Sequence, residues 1–253
     1  MDLNHYLKSL HLPARTAKNR TNGLTMIIDK GASISELEGA LEIAHDKIDF
    51  VKFGFGTALL TNNFLKKVEV LNKYNVDFFF GGTLFEIFYA QNKIVEFIKM
   101  MNEVSAKYVE ISDGTITLDH KTKCSLIEKF TKDFVVLSEV GSKDTAKVLP
   151  PYKWIEMMRD ELNAGSTFLI AESREAGNVG IYRNNGEVRE GLIEEILTKI
   201  PAEKIIWEAP EKSQQVFFIQ LLGANVNLGN IQLSNIISLE TLRLGLRSDT
   251  VNL

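Results

Sequence analysis

Short runs of β-branched and aromatic residues recur along the chain, each followed by a longer stretch with helical spacing of its apolar positions. The first run covers residues 24–28 and ends at Asp29. Behind it, Ser33 or Ser35 can cap a helix whose apolar stripe is Leu37, Leu41 and Ala44. Further runs cover residues 48–54, 76–80, 107–112, 134–140, 167–172, 204–208 and 225–228. The spacing predicts helices over 85–104, 154–162 and 192–200, and a last one over 234–246. Strands that alternate with helices imply parallel pairing through right-handed crossovers. Eight such units in 253 residues fit a single-domain (β/α)8 TIM barrel of the α/β class better than an open doubly wound sheet. No Pro/Gly/Ser-rich linker divides the chain. Residues 21–253 therefore read as the barrel. Residues 1–20, polar and basic with Arg15, Lys18 and Arg20, read as an N-terminal arm.

Composition narrows the function classes. Lys and Arg number 29 against 33 Asp and Glu, a net charge of −4, so the chain lacks the basic field that a general nucleic-acid or anionic-membrane binder needs. The lone Cys124 rules out an intramolecular disulfide and suits a reducing compartment, so a cytoplasmic protein is expected. No apolar run approaches the ~20 residues of a membrane helix, and the N-terminus lacks the pattern of a secretory signal.

In a barrel the chemistry sits where strands run into the following loops. The second run carries Lys52, and the fourth to seventh carry Glu110, Glu139, Glu172 and Glu208. Burying a lone carboxylate is costly, so these must be paired, hydrogen-bonded or bound to metal. Salt bridges that merely close the barrel are one reading. A ring of carboxylates with a lysine, holding Mg²⁺ and an anionic substrate, is the reading that four consecutive strands favour. None of the four histidines lies at a strand end, which argues against a zinc centre on histidine or a Ser-His-Asp triad. Ser112 and Ser138 lack a candidate base and read as inward barrel polar groups. Proton transfer then falls to a carboxylate or a lysine, with Lys143 after the fifth run the candidate and a solvated loop lysine its alternative. Glycine loops follow several runs. The customary barrel phosphate site, after strands seven and eight, points to Gln214 and to Asn227, Gly229 and Asn230.

These residues carry a resemblance. Residues 20–31, 49–54, 81–86, 109–114, 137–141, 172–175, 208–215, 226–230 and 239–247 resemble, in order, the phosphosulfolactate synthase family of coenzyme M biosynthesis. The resemblance implies a (β/α)8 barrel and a carbon–sulfur lyase. The reaction implied is a Mg²⁺-dependent addition of sulfite to phosphoenolpyruvate that gives (R)-2-O-phospho-3-sulfolactate. It implies Lys143 as the proton donor to C2, with Ser142 standing where the family motif has a first lysine. Lys52 joins it as the second catalytic lysine. Arg20, Arg174, Asn227, Gly229, Asn230 and Gln214 are the substrate-binding candidates. Glu139 and Glu172 are the first metal candidates, followed by Glu110 and Glu208. Two alternatives remain at this point. One is another barrel lyase or aldolase acting on a phosphorylated enol or keto acid, with a Schiff base on Lys52 or Lys143. The other is a stress-associated barrel without catalysis. A homo-oligomer is expected, and the last helical stretch is a candidate subunit contact.

Overall fold

The computed structural model describes residues 3–141, 149–174 and 176–253. The runs of the sequence become β1 (Thr25–Asp29), β2 (Phe50–Phe53), β3 (Asp77–Phe80), β4 (Tyr108–Ile111), β5 (Val135–Val140), β6 (Phe168–Ala171), β7 (Ile205–Glu208) and β8 (Leu228–Gln232). They pair in parallel in the order β3-β2-β1-β8-β7-β6-β5-β4. β3 and β4 then lie side by side. Lys107 and Asp77 join their lower ends at 3.2 Å, and the Gly82 N–H donates to Glu110 Oε1 at 2.6 Å above. The eight strands form a nearly closed barrel, as the alternation predicts.

The helices outside are α1 (Ile34–Ala44), α2 (Thr57–Leu60), α3 (Phe64–Lys73), α4 (Gly82–Ala90), α5 (Ile94–Glu103), α6 (His120–Phe130), α7 (Pro151–Asn163), α8 (Glu190–Leu197), α9 (Lys212–Leu222) and α10 (Ile236–Arg243). Among the described residues no helix is long and apolar enough to cross a membrane. Ser33 starts α1 with a reciprocal capping box to Glu36, and the predicted stripe Leu37, Leu41 and Ala44 is buried. The stretch expected as one helix over 85–104 is two. Asn92 takes a left-handed φ of 56° between α4 and α5, a conformation asparagine tolerates, and it ends the first helix.

The eighth strand corrects the sequence reading more sharply. Residues 225–228 were expected to form it, yet it begins only at Leu228. The register with β1 shifts between Thr25 and Ile27, and Asn230 sits at φ 54°. This bulge turns two successive residues, Gly229 and Asn230, toward the barrel interior. A Cβ on Gly229 would lie 2.4 Å from Met26 Cε and 3.0 Å from Ile206 Cγ2, so a side chain here requires the Met26 end to move beneath the mouth.

The opposite face of the barrel is held by cations. Arg243 is fully buried and donates to the carbonyls of Ala224, Val226 and Leu24 at 2.7, 2.6 and 3.1 Å. Arg15 ties the N-terminal arm to Glu240, and Arg20 pairs with Asp49 at 3.0 Å.

Candidate functional site

Alternation along the strands builds the site. Phe50, Leu137, Ile170 and Ile206 form an apolar cluster inside the barrel with Leu24, Met26 and Phe79, and Tyr108 packs against it. Two residues further along each strand, on the same face, stand Lys52, Glu139, Glu172, Glu208 and, above Tyr108, Glu110. Each charged side chain is therefore one inward step above an apolar floor, at the C-terminal mouth. All five are buried, with Lys52 the most exposed at 6 %.

The Lys52 ammonium sits 3.0 Å from Glu110 Oε2, 3.0 Å from Glu208 Oε1 and 3.5 Å from Glu139 Oε2. Burial pulls its pKa down, but Glu110, Glu208, Glu139 and Glu172 outweigh burial and hold it well above the ordinary lysine value. It is a fixed cation. Oxygens of Glu139, Glu172 and Glu208 lie within 4.8 Å of one another.

The loops hold these carboxylates in place. The Ser173 N–H and hydroxyl donate to Glu208 Oε2 at 3.0 and 3.1 Å, and the Arg174 N–H donates to Glu172 Oε1 at 2.5 Å. Arg174 adopts φ 57° to do so. Gly180 at φ 61° passes so close to the Glu172 carbonyl that a Cβ would lie 2.0 Å from that oxygen. The cavity above the floor, about 240 Å³, is lined by the five charged groups together with Arg174, Asn230, Gly54, Phe55 and the Gly81–Thr83 start of α4. Asn230 is buried, and its Oδ1 has no hydrogen-bond partner among the described residues. A larger depression of about 780 Å³ beside α8 and α9 holds none of the five.

Of the residues expected from the sequence, Lys52, Glu110, Glu139, Glu172, Glu208, Arg174 and Asn230 meet in this one cavity. Four do not. Arg20 lies at the opposite end of the barrel, where Asp49 and the carbonyls of Thr16 and Asp46 accept from it. Asn227 precedes β8 at that same end and joins Leu24 N to the carbonyls of Glu203 and Ile205. Gly229 is a packing position beneath the mouth. Gln214 spends its amide on the carbonyls of Gly177 and Gly186 and on capping α9, so it anchors a loop. Lys143 lies outside the described residues.

Two buried lysines were missed. Lys67 on α3 pairs with Asp29 at 2.6 Å, and Lys123 on α6 pairs with Glu161 at 2.8 Å. A signal existed for both. Lys67 precedes Leu71 by four residues, and Lys123 precedes Ile127 by four and Phe130 by seven, so each lysine occupies the apolar stripe of its helix.

Comparison with known proteins gives the family. The profile of the (2R)-phospho-3-sulfolactate synthase family matches residues 13–249. A phosphosulfolactate synthase of Bacillus subtilis is 44% identical over 245 residues, 96% of this chain and 97% of that protein. The chain belongs to the phosphosulfolactate synthase family. Another member, from Methanothermobacter thermautotrophicus, is 41% identical over 94% of this chain and 95% of its own length. Among solved structures, the Escherichia coli aldolase YdjI superposes with a TM-score of 0.54 over 92% of this chain and 81% of its own, at 12% identity, a likeness of fold alone. The matched range, residues 13–249, spans all eight strands and the mouth residues from Lys52 to Asn230.

Proposed function

We propose that the chain catalyses the addition of sulfite to phosphoenolpyruvate with Mg²⁺, giving (R)-2-O-phospho-3-sulfolactate, as its family membership implies. The observation that carries this reading is the meeting of one lysine and four glutamates from five strands in a single cavity. Four carboxyl groups around one ammonium make these five groups an acidic mouth. A substrate with phosphate and carboxylate groups enters such a mouth only with further cations.

The donor set suits a hard divalent cation. Carboxylate oxygens are its preferred ligands, and those of Glu139, Glu172 and Glu208 lie close enough together to share one. Bound there, Mg²⁺ supplies Lewis-acid stabilisation of the negative charge that develops on the substrate carboxylate. The protein's own groups do the rest. Lys52, fixed as a cation, attracts the anionic substrate and offsets the mutual repulsion of the carboxylates gathered around it. Arg174 at the rim adds a second cation for phosphate or sulfite. The Asn230 Nδ2 reaches the Arg174 carbonyl at 3.5 Å, which leaves its Oδ1 to accept from a donor group of the substrate or its hydration water. The apolar floor excludes water beneath the reacting carbons and strengthens every charge interaction above it. Sulfite is already nucleophilic, so no strong base is required. The proton delivered to C2 is assigned to Lys143 by the family resemblance alone.

The electrostatics disfavour the Schiff-base alternative on Lys52. An amine must lose its proton to attack a carbonyl, and the surrounding carboxylates oppose that loss. The deciding experiment incubates the protein with phosphoenolpyruvate, sulfite and Mg²⁺ and follows products by phosphorus NMR. A new phosphate-ester resonance that requires all three additions supports the reading. No product, or a product without sulfite, rejects it.

A further inference from the structure

Outside the barrel, behind β5, lies a second buried charge cluster that the reaction does not use. Lys123 on α6 is fully buried, and its ammonium donates to three oxygens. Glu161 Oε1 on α7 lies at 2.8 Å, Asp113 Oδ1 in the turn after β4 at 2.9 Å, and the backbone carbonyl of Glu139 at 2.6 Å. Glu161 is itself fully buried, and burial raises its pKa against the pull of Lys123.

The third acceptor sets this lysine apart from a simple tie between two helices. The Val135 N–H bonds the Lys107 carbonyl on the β4 side, and the two-residue period turns the Glu139 carbonyl the same way. Pairing of β4 with β5 ends at Ile111 and Ser138, one residue short of it. The Lys123 ammonium takes the place of the missing ladder donor, at the residue whose side chain enters the mouth. Burial pulls the Lys123 pKa down, but Glu161 and Asp113 outweigh it and hold the group charged.

We propose that Lys123 is a positioning residue. Its ammonium fixes the Glu139 peptide against α6, α7 and the turn after β4, and so fixes where the Glu139 carboxylate stands in the mouth. The inference rests on the reading of Glu139 as a cation ligand. Outer partners that hold a ligand in place typically change metal affinity by about 10–100-fold when removed.

The test is calorimetric titration of the full chain with Mg²⁺. Lys123→Met combined with Glu161→Gln removes both buried charges together, so neither is left unpaired. Ile127→Ala loosens the same helix at a buried position away from Glu139 and serves as the control. The expected result is Mg²⁺ binding weakened at least tenfold in the double variant and less than twofold in the control. Unchanged binding in the double variant overturns the inference, as does equal weakening in the control. Should the double variant not fold, Asp113→Asn at the edge of the cluster is expected to weaken binding about threefold, and no change there rejects the proposal equally. If wild type binds no Mg²⁺, the cation-site reading fails by itself. The positioning role is then read from the ¹³C resonance of the Glu139 carboxylate. It shifts in the double variant and not in Ile127→Ala if Lys123 acts as stated, and stays put in both if it does not.

Discussion

Replacing Lys52 by methionine keeps most of the side-chain volume and removes the single cation at the centre of the mouth. The ammonium has carboxylate oxygens at 3.0, 3.0 and 3.5 Å. At an effective dielectric near 20 each contact amounts to about 5 kcal/mol of attraction, offset by several kcal/mol for desolvating the lysine. Breaking such a buried arrangement from one side typically costs about 3–5 kcal/mol, because the partner charges stay behind. For a chain of this size that is a fall in Tm of about 10 °C. The pH dependence separates this cause from lost packing. The Lys52 pKa is raised in the folded state, so its stabilisation is complete below the unfolded lysine value of about 10.4 and is lost only at still higher pH. Wild type is therefore level on this account from pH 6 to 9. In the variant the carboxylates face one another without the ammonium, and burial and mutual repulsion push their pKa values up. An acid whose folded pKa is raised favours folding at low pH and loses that advantage as pH rises through the raised value. The penalty should therefore grow from pH 5 to pH 8. Thermal and urea melts of chelator-treated protein across that range measure it. A variant within about 1 kcal/mol of wild type at pH 8, or a penalty that does not vary with pH, refutes the reasoning.

The other predictions concern both ends of the barrel. Glu139→Gln and Glu172→Gln should each weaken Mg²⁺ binding by at least about tenfold in calorimetry, and unchanged binding removes the ligand role from that residue. Arg20→Met should cost about 2–4 kcal/mol by leaving Asp49, whose pKa burial already raises against the pull of Arg20, without its cation, while the KM for phosphoenolpyruvate stays as in wild type. A raised KM with normal stability would return Arg20 to the substrate site. Gly180→Ala sets a Cβ against the Glu172 carbonyl in a left-handed residue, so urea melts should show a loss of about 2–4 kcal/mol together with weaker Mg²⁺ binding.

The fold and the core of the site were legible because both follow from a period of two. An apolar inward residue followed two positions later by a charge, as in Leu137 and Glu139 or Ile206 and Glu208, states at once the strand, its inner face and its mouth end. The asparagines were not legible for the same reason in reverse. Asn227 and Asn230 flank one Leu-Gly pair and look equivalent in sequence, yet Asn227 precedes β8 at the lower end while Asn230, within β8, reaches the mouth. A bulge inside β8 then breaks the alternation that would have told them apart. Arg20 could not be assigned locally because its partner, Asp49, is 29 residues away, and only the pairing of β1 with β2 brings the two together.

The two ends of the barrel handle buried charge in opposite ways. At the lower end cations are matched within the chain: Arg243 by three backbone carbonyls, Arg20 by Asp49, and Arg15 by Glu240. At the upper end the ledger of charge is deliberately uneven, four carboxylates around one ammonium above an apolar floor. Such an arrangement is tolerable only where backbone donors and outer ion pairs hold every member, as Ser173, Arg174 and Gly82 do directly. Lys123 extends the same support from outside the wall. The stability needed to keep an acidic mouth assembled is thus supplied by buried bonds around it and at the far end, which leaves the mouth itself free to be tuned to cations and anions.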